Sequence, residues 1–221
     1  MTESGEGLHL VWARRIAASL ADCGALHVVL SPGSRSTPLA IAFADEPRLS
    51  VTVVVDERAA AFLALGQSRV TGRPSVLLCT SGTALAHYHP AVIEAEASQV
   101  PLVVLSADRP LELQSTAASQ TIDQVKLFGS HVRRFLDLGV PDEAALASLP
   151  RMLATAYLAA VAPQPGPVHV NARFRKPLEP LGEARAAETG PRAPSLFPPR
   201  VVASEEAVLE GVDPAVEREL L

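Results

Sequence analysis

A chain of 221 residues, 48% hydrophobic and 19% charged, has the length for one folded domain with an appendage. Its net charge of −5 does not supply the basic face that nonspecific nucleic-acid binding needs, and 4% aromatics leave little for base stacking. No apolar run reaches the ~18 residues of a membrane span, so neither nucleic acid nor membrane insertion is expected. Met1 to Gly7 is polar and acidic, without the basic-then-apolar order of a secretory signal, which points to a cytoplasmic protein. Residues 8–22 repeat apolar side chains at helical spacing (Leu10, Ala13, Ile16, Ala17, Leu20), predicting a helix that Gly24 ends. A strand at 26–30 runs into a loop at 31–36, and 37–44 resumes as helix. A strand at 51–55 precedes a helix over 56–70. A third strand, 75–79, leads through the turn 81–83 into a helix over 84–98. Strands at 101–106 and 132–136, a helix over 143–161 and a strand at 167–171 complete the series.

Several of these strands are continuous apolar runs, as expected when helices cover both faces of a parallel sheet. Strands alternating with helices of this length predict a doubly wound α/β fold with a mainly parallel sheet. In such sheets ligands bind beyond the C-terminal strand ends, so the loops after the strands are the place to look. The expected domain covers residues 1–175. A proline-rich linker follows over 176–200, and residues 201–221 read as the start of a further domain. Cys23 and Cys79 sit among apolar neighbours and make neither a disulfide framework nor a zinc site.

Four post-strand loops carry polar chemistry. Ser31-Pro32-Gly33-Ser34-Arg35-Ser36 combines a tight turn, hydroxyls, a helix start and a fixed positive charge, which suits an anion; an N-cap turn beside a solvated arginine is the plainer alternative. Asp56-Glu57-Arg58 supplies either a helix cap or a carboxyl held among Ala59, Ala60, Ala61 and Phe62, where burial would favour its protonated form. Thr80-Ser81-Gly82-Thr83 is a hydroxyl-rich helix start, weak on its own. Asp108-Arg109-Pro110 leaves Arg109 either paired with Asp108 or facing a carboxylate in a cleft, and Gln120-Thr121-Ile122-Asp123-Gln124 follows. His87 and His89 are two apart on the predicted helix and diverge, and Gly129-Ser130-His131 lacks a partner, so no metal site is expected. Neither a dinucleotide fingerprint, a P-loop nor Gly-x-Ser-x-Gly occurs.

Five blocks together resemble one family: SPGSRSTPLA at 31–40, VVVDERAAAFLALG at 53–66, CTSGTALAHYHPAVIEA at 79–95, LSADRPLEL at 105–113 and QTIDQVKLFGSH at 120–131. The family is the SEPHCHC synthases, thiamine-diphosphate enzymes of menaquinone biosynthesis, and the likeness runs over about residues 8 to 180, their pyrimidine-binding portion. The resemblance implies that 2-oxoglutarate is decarboxylated on the cofactor and its four-carbon remainder added to isochorismate. It implies that Glu57 contacts N1′ of the aminopyrimidine and favours its imino tautomer. Ser34, Thr80 and Gly82 are implied to join it in cofactor binding, and Ser34, Arg35, Arg109 and Gln120 to bind substrate. The arginines make sense as clamps on substrate carboxylates.

The resemblance further implies Mg²⁺ (or manganese) on the diphosphate, a homo-oligomer (dimer or tetramer), and a longer chain whose Gly-Asp-Gly motif holds the metal. That motif is missing from these 221 residues, so the expectation is a shortened piece, inactive alone, with self-association through the face carrying Glu57. Two other readings stand beside it: a non-catalytic α/β binding module, and an α/β enzyme cradling a phosphosugar in its serine-rich loops.

Overall fold

The structure is a computed structural model that describes residues 7–179. Of the linker expected over 176–200 only residues 176–179 are described; the rest of it and the terminal segment expected over 201–221 lie outside the described residues. Six strands form one sheet: β1 (His27–Leu30), β2 (Ser50–Val53), β3 (Ser75–Cys79), β4 (Leu102–Asp108), β5 (Arg134–Asp137) and β6 (Pro167–Arg173). Every neighbouring pair is parallel, in the order β2-β1-β3-β4-β6-β5. Six α-helices accompany them: α1 (Leu8–Asp22), α2 (Thr37–Ala44), α3 (Glu57–Thr71), α4 (Thr83–Ala86), α5 (His89–Ala97) and α6 (Leu149–Val161).

Side chains alternate across the sheet because successive residues of a strand point to opposite faces. Val28, Leu30, Val76, Leu78, Val103, Leu105, Val168 and Val170 pack with Trp12, Ile16, Leu20, Phe43, Leu153 and Tyr157, so α1, α2 and α6 cover that face. Val29, Leu77, Cys79, Leu102 and Val104 pack on the other with Ala60, Ala61 and Ala64 of α3 and Ala91, Val92 and Ala95 of α5. This is the doubly wound arrangement that the apolar runs predict. Leu178 also packs into the first core, and Cys23 and Cys79 are buried free thiols.

Two predicted helices are shorter than their composition suggests, and proline explains both. A proline inside a helix removes one amide and clashes with the preceding turn, whereas the first turn tolerates it. Pro90 sits in the first turn of α5, so the helix expected over 84–98 is two helices, separated at His87 and Tyr88. Pro150 does the same for α6, which begins at Leu149 rather than at 143.

The chain steps outward from β1 to β2, then returns to form β3 on the other side of β1. That reversal opens a crevice beyond the ends of β1 and β3, where open α/β sheets place their ligands.

Candidate active site

The loops after β1 and β3 meet in this crevice. Gly33 lies so near Thr80 that an added Cβ would stand 2.5 Å from both the Cβ and Cγ2 of Thr80. Only a residue without a side chain permits this approach. Gly82 has φ +87° and ψ −147°, a region essentially confined to glycine. An added Cβ there would meet Gln120 Cγ at 2.9 Å. Thr80 is buried and its hydroxyl has no hydrogen-bond partner among the described residues. Ser34 is exposed, at the start of a short 3-10 turn that leads into α2.

At the start of α3 the sequence left capping and ligand binding open for Asp56-Glu57. Asp56 is the cap: its carboxylate accepts from the backbone amides of Arg58 and Ala59, and the Arg58 guanidinium beside it holds it below the usual carboxylate range. Glu57 is thereby released from capping. It is half-buried, and among the described residues nothing donates a hydrogen bond to its carboxylate. Burial pushes the Cys79 thiol and the Tyr88 phenol upward, and the negative charge of Glu57 adds to both shifts. The field of Glu57 therefore reaches the end of β3.

Arg35 is not the solvated arginine of the plainer reading. It is 4% exposed, and its Nη1 donates to the carbonyl of Phe174 at 2.6 Å. Burial lowers its pKa, and the positive charge of Arg109 lowers it further. Arg35 and Arg109 line one cavity of about 470 Å³ with Arg175, Lys176 and Glu112. Glu112 is engaged by Arg175, with Nη2 and Oε2 3.0 Å apart. Four cationic side chains thus face one already paired carboxylate, an environment that favours an anionic guest. The sequence offered Arg35 and Arg109; Arg175 and Lys176 went unremarked because they fall where the proline-rich stretch begins.

Arg109 does not pair with Asp108 through its side chain. Asp108 accepts the Arg109 backbone amide at 2.7 Å and faces Arg173 Nη1 at 2.8 Å. The Nε of Arg109 instead donates to the carbonyl of Gln120 at 3.3 Å, and Ser81 Oγ donates to the same carbonyl at 3.1 Å. Gln120 is exposed and holds φ +55°, an uncommon conformation for a non-glycine residue. Arg35, Gly82 and Arg109 thus follow the C-terminal ends of the central strands β1, β3 and β4, with Gln120 against Gly82 and Arg109, and Glu57 follows the C-terminal end of β2. Among the described residues no three His, Cys, Asp or Glu side chains form a metal-holding group. No helix there is long and apolar enough to cross a membrane. His131 stands edge-on to His89 with ring centroids 5.8 Å apart, a ring contact between segments that are not local in the chain.

Residues 11–127 match the family described as thiamine pyrophosphate enzyme, N-terminal TPP binding domain. A 2-succinyl-5-enolpyruvyl-6-hydroxy-3-cyclohexene-1-carboxylate synthase of Sorangium cellulosum is 58% identical over 179 residues, 80% of this chain and 29% of that protein. Synthases of the same name are 51% identical in Natronomonas pharaonis (80% of this chain, 30% of that protein) and 47% identical in Thermosynechococcus vestitus (90% and 36%). The chain spans about a third of the length of the curated relatives it matches.

Proposed function

Because the chain belongs to the thiamine pyrophosphate enzymes, as an N-terminal TPP binding domain, we propose that it forms the pyrimidine-side half of a SEPHCHC synthase active site. In this reading 2-oxoglutarate and isochorismate are the substrates, and the product serves menaquinone biosynthesis. The observation that carries it is a half-buried carboxylate with no hydrogen-bond donor among the described residues, Glu57, at the same strand ends as a cavity lined by Arg35 and Arg109. Relatives bearing that enzyme's name support the assignment.

The residues present fit the cofactor's aminopyrimidine. Glu57 offers a carboxyl to a ring nitrogen, Thr80 carries a buried hydroxyl without a hydrogen-bond partner among the described residues, and Gly33 and Gly82 keep the approach clear of side chains. When bound, thiamine diphosphate supplies the electron sink for decarboxylation. The chain's own work is to orient and to hold protons: Glu57 keeps a proton shared with the ring nitrogen, and Arg35 and Arg109 hold substrate carboxylates. Ser34 and Gln120 contribute polar contacts at the rim. Mg²⁺ is proposed on the diphosphate, with none of its ligands assigned to the described residues. A homodimer or tetramer in the cytoplasm completes the reading; the exposed Val53, Val55 and Phe62 beside Glu57 support self-association through that face.

The test is calorimetric titration with thiamine diphosphate and Mg²⁺, first with this chain and then with a separately expressed polypeptide supplying the rest of the synthase. Cofactor binding and 2-oxoglutarate decarboxylation in the mixture, abolished by Glu57→Gln, is the expected result. A mixture that neither binds nor turns over would overturn the reading.

A further inference from the structure

The carboxamide of Gln124 is 1% exposed and joins three strand ends. Its Oε1 accepts the Gly82 amide at 2.8 Å, just beyond β3. Its Nε2 donates to the Ala107 carbonyl on β4 at 3.2 Å and to Asn171 Oδ1 on β6 at 3.0 Å. Asn171 in turn donates to Asp108 Oδ2 at 2.9 Å. Four residues upstream, the carbonyl of Gln120 receives both Ser81 Oγ and Arg109 Nε. The segment 120–124 is therefore pinned at its far end by Gln124 and touches the Gly82 turn and Arg109 at its near end. Gln120 keeps φ +55°, a conformation that persists in a non-glycine residue where surrounding bonds over-determine it.

We propose that Gln124 is a positioning residue that sets the Gly82 turn and the Arg109 guanidinium in one register, so that the cofactor side and the substrate side of the site are coupled through it. The coupling rests on the reading of Gly82 and Arg109 as ligand contacts given above; the register itself does not. A glutamine that only filled a polar hole would need neither the Gly82 amide donor nor a strand-to-strand span.

Two substitutions separate these roles in the 221-residue chain. Gln124→Leu keeps volume and removes every polar contact, whereas Gln124→Glu keeps an acceptor for Gly82 and loses the amide donor. Resonances of the Gly82 amide and of Arg109 Nε–H in ¹⁵N spectra, with amide exchange, report both ends. In Gln124→Leu the Gly82 amide is expected to exchange about tenfold faster, the scale of one lost hydrogen bond, and the Arg109 Nε–H signal to move. In Gln124→Glu the Gly82 amide stays protected while the Arg109 signal still moves. Thiamine diphosphate and 2-oxoglutarate then both bind more weakly to the leucine variant. An unchanged Arg109 signal in both variants would overturn the proposal, and if the leucine variant unfolds, the glutamate variant decides alone. The ligand titrations use the chain mixed with the polypeptide supplying the rest of the synthase; a wild-type mixture that binds neither ligand counts against the functional reading, and the two resonances still judge Gln124.

Discussion

The guanidinium of Arg35 donates to the carbonyl of Phe174 across the ends of two intervening strands, joining the loop after β1 to the end of β6. The contact holds a charge in place against a like charge, since Arg109 lowers the pKa of Arg35 after burial has already done so. An anion between them removes that conflict. Arg35→Met is expected to weaken 2-oxoglutarate binding at least about tenfold, the size of one charge-assisted contact, and to leave thiamine diphosphate binding little changed. Parallel titrations check it; equal losses for both ligands would show that Arg35 acts on the fold.

Gly33 and Thr80 give a second expectation, about packing. A methyl at Gly33 has nowhere to go because its nearest neighbours are the branched carbon and methyl of Thr80. Gly33→Ala should cost about 1–3 kcal/mol, the usual penalty for overpacking. Thr80→Gly in the same chain should recover part of it, because the pair is in contact and non-additive. Urea unfolding of the two single variants and the double variant closes the cycle, and strict additivity would mean that the loops separate freely.

Much of this arrangement was legible beforehand, for identifiable reasons. Continuous apolar runs such as Val76–Cys79 report strands buried on both sides, so the layer order follows from the sequence alone. Asp56-Glu57 is legible as a choice between cap and ligand, which the fold decides by giving Asp56 the amides of Arg58 and Ala59. What stayed hidden is the polar layer beneath the arginines. Asp108 and Arg173 lie on neighbouring strands but far apart in the chain, and no spacing rule connects them. Gln124 is visible within a motif, yet its partners come from the turn after β3 and from β4 and β6. Pro90 and Pro150 were plain in the sequence; the alanine-rich stretches around them outweighed the prolines as helix signals.

A pH dependence follows from His169, which is buried among Ser106, Phe128 and Phe135. Burial pushes its pKa down to about 3, and Asp137 opposes the shift. An unfolded imidazole titrates near about 6.5, so between these values the unfolded chain holds the extra proton. The contribution of His169 is therefore complete above the unfolded value and is lost as pH falls toward the folded one. The slope approaches about 1.4 kcal/mol per pH unit for one proton. Burial raises Asp108 more than its Asn171 and Arg173 partners lower it, so its contribution has the opposite sign. Comparison with His169→Gln isolates the histidine: the difference in unfolding free energy should shrink steadily from about pH 6 to pH 4, and parallel curves would remove His169 as the cause.

Arg173 carries the heaviest structural duty in the polar layer. Its Nη1 faces Asp108 at 2.8 Å and donates to the Arg109 carbonyl at 2.9 Å, while Nη2 pairs with Asp137 at 2.8 Å. Asp108 is fully buried, so removing the cation leaves a carboxylate with hydrogen bonds from Asn171, Gln114 and the Arg109 amide but no ion-pair partner among the described residues. Breaking a buried pair in this way costs about 3–5 kcal/mol, more than the pair contributes when intact. Arg173→Met should therefore lower stability by about that amount. Arg173→Lys should recover only part of it, because a single ammonium cannot fork between two carboxylates as the planar guanidinium does. The informative variant is Arg173→Met combined with Asp108→Asn, which removes both charges. Recovery of most of the loss in that double variant would locate the cost in the unpaired carboxylate. If it recovered nothing, the arginine would owe its effect to its hold on the Arg109 carbonyl.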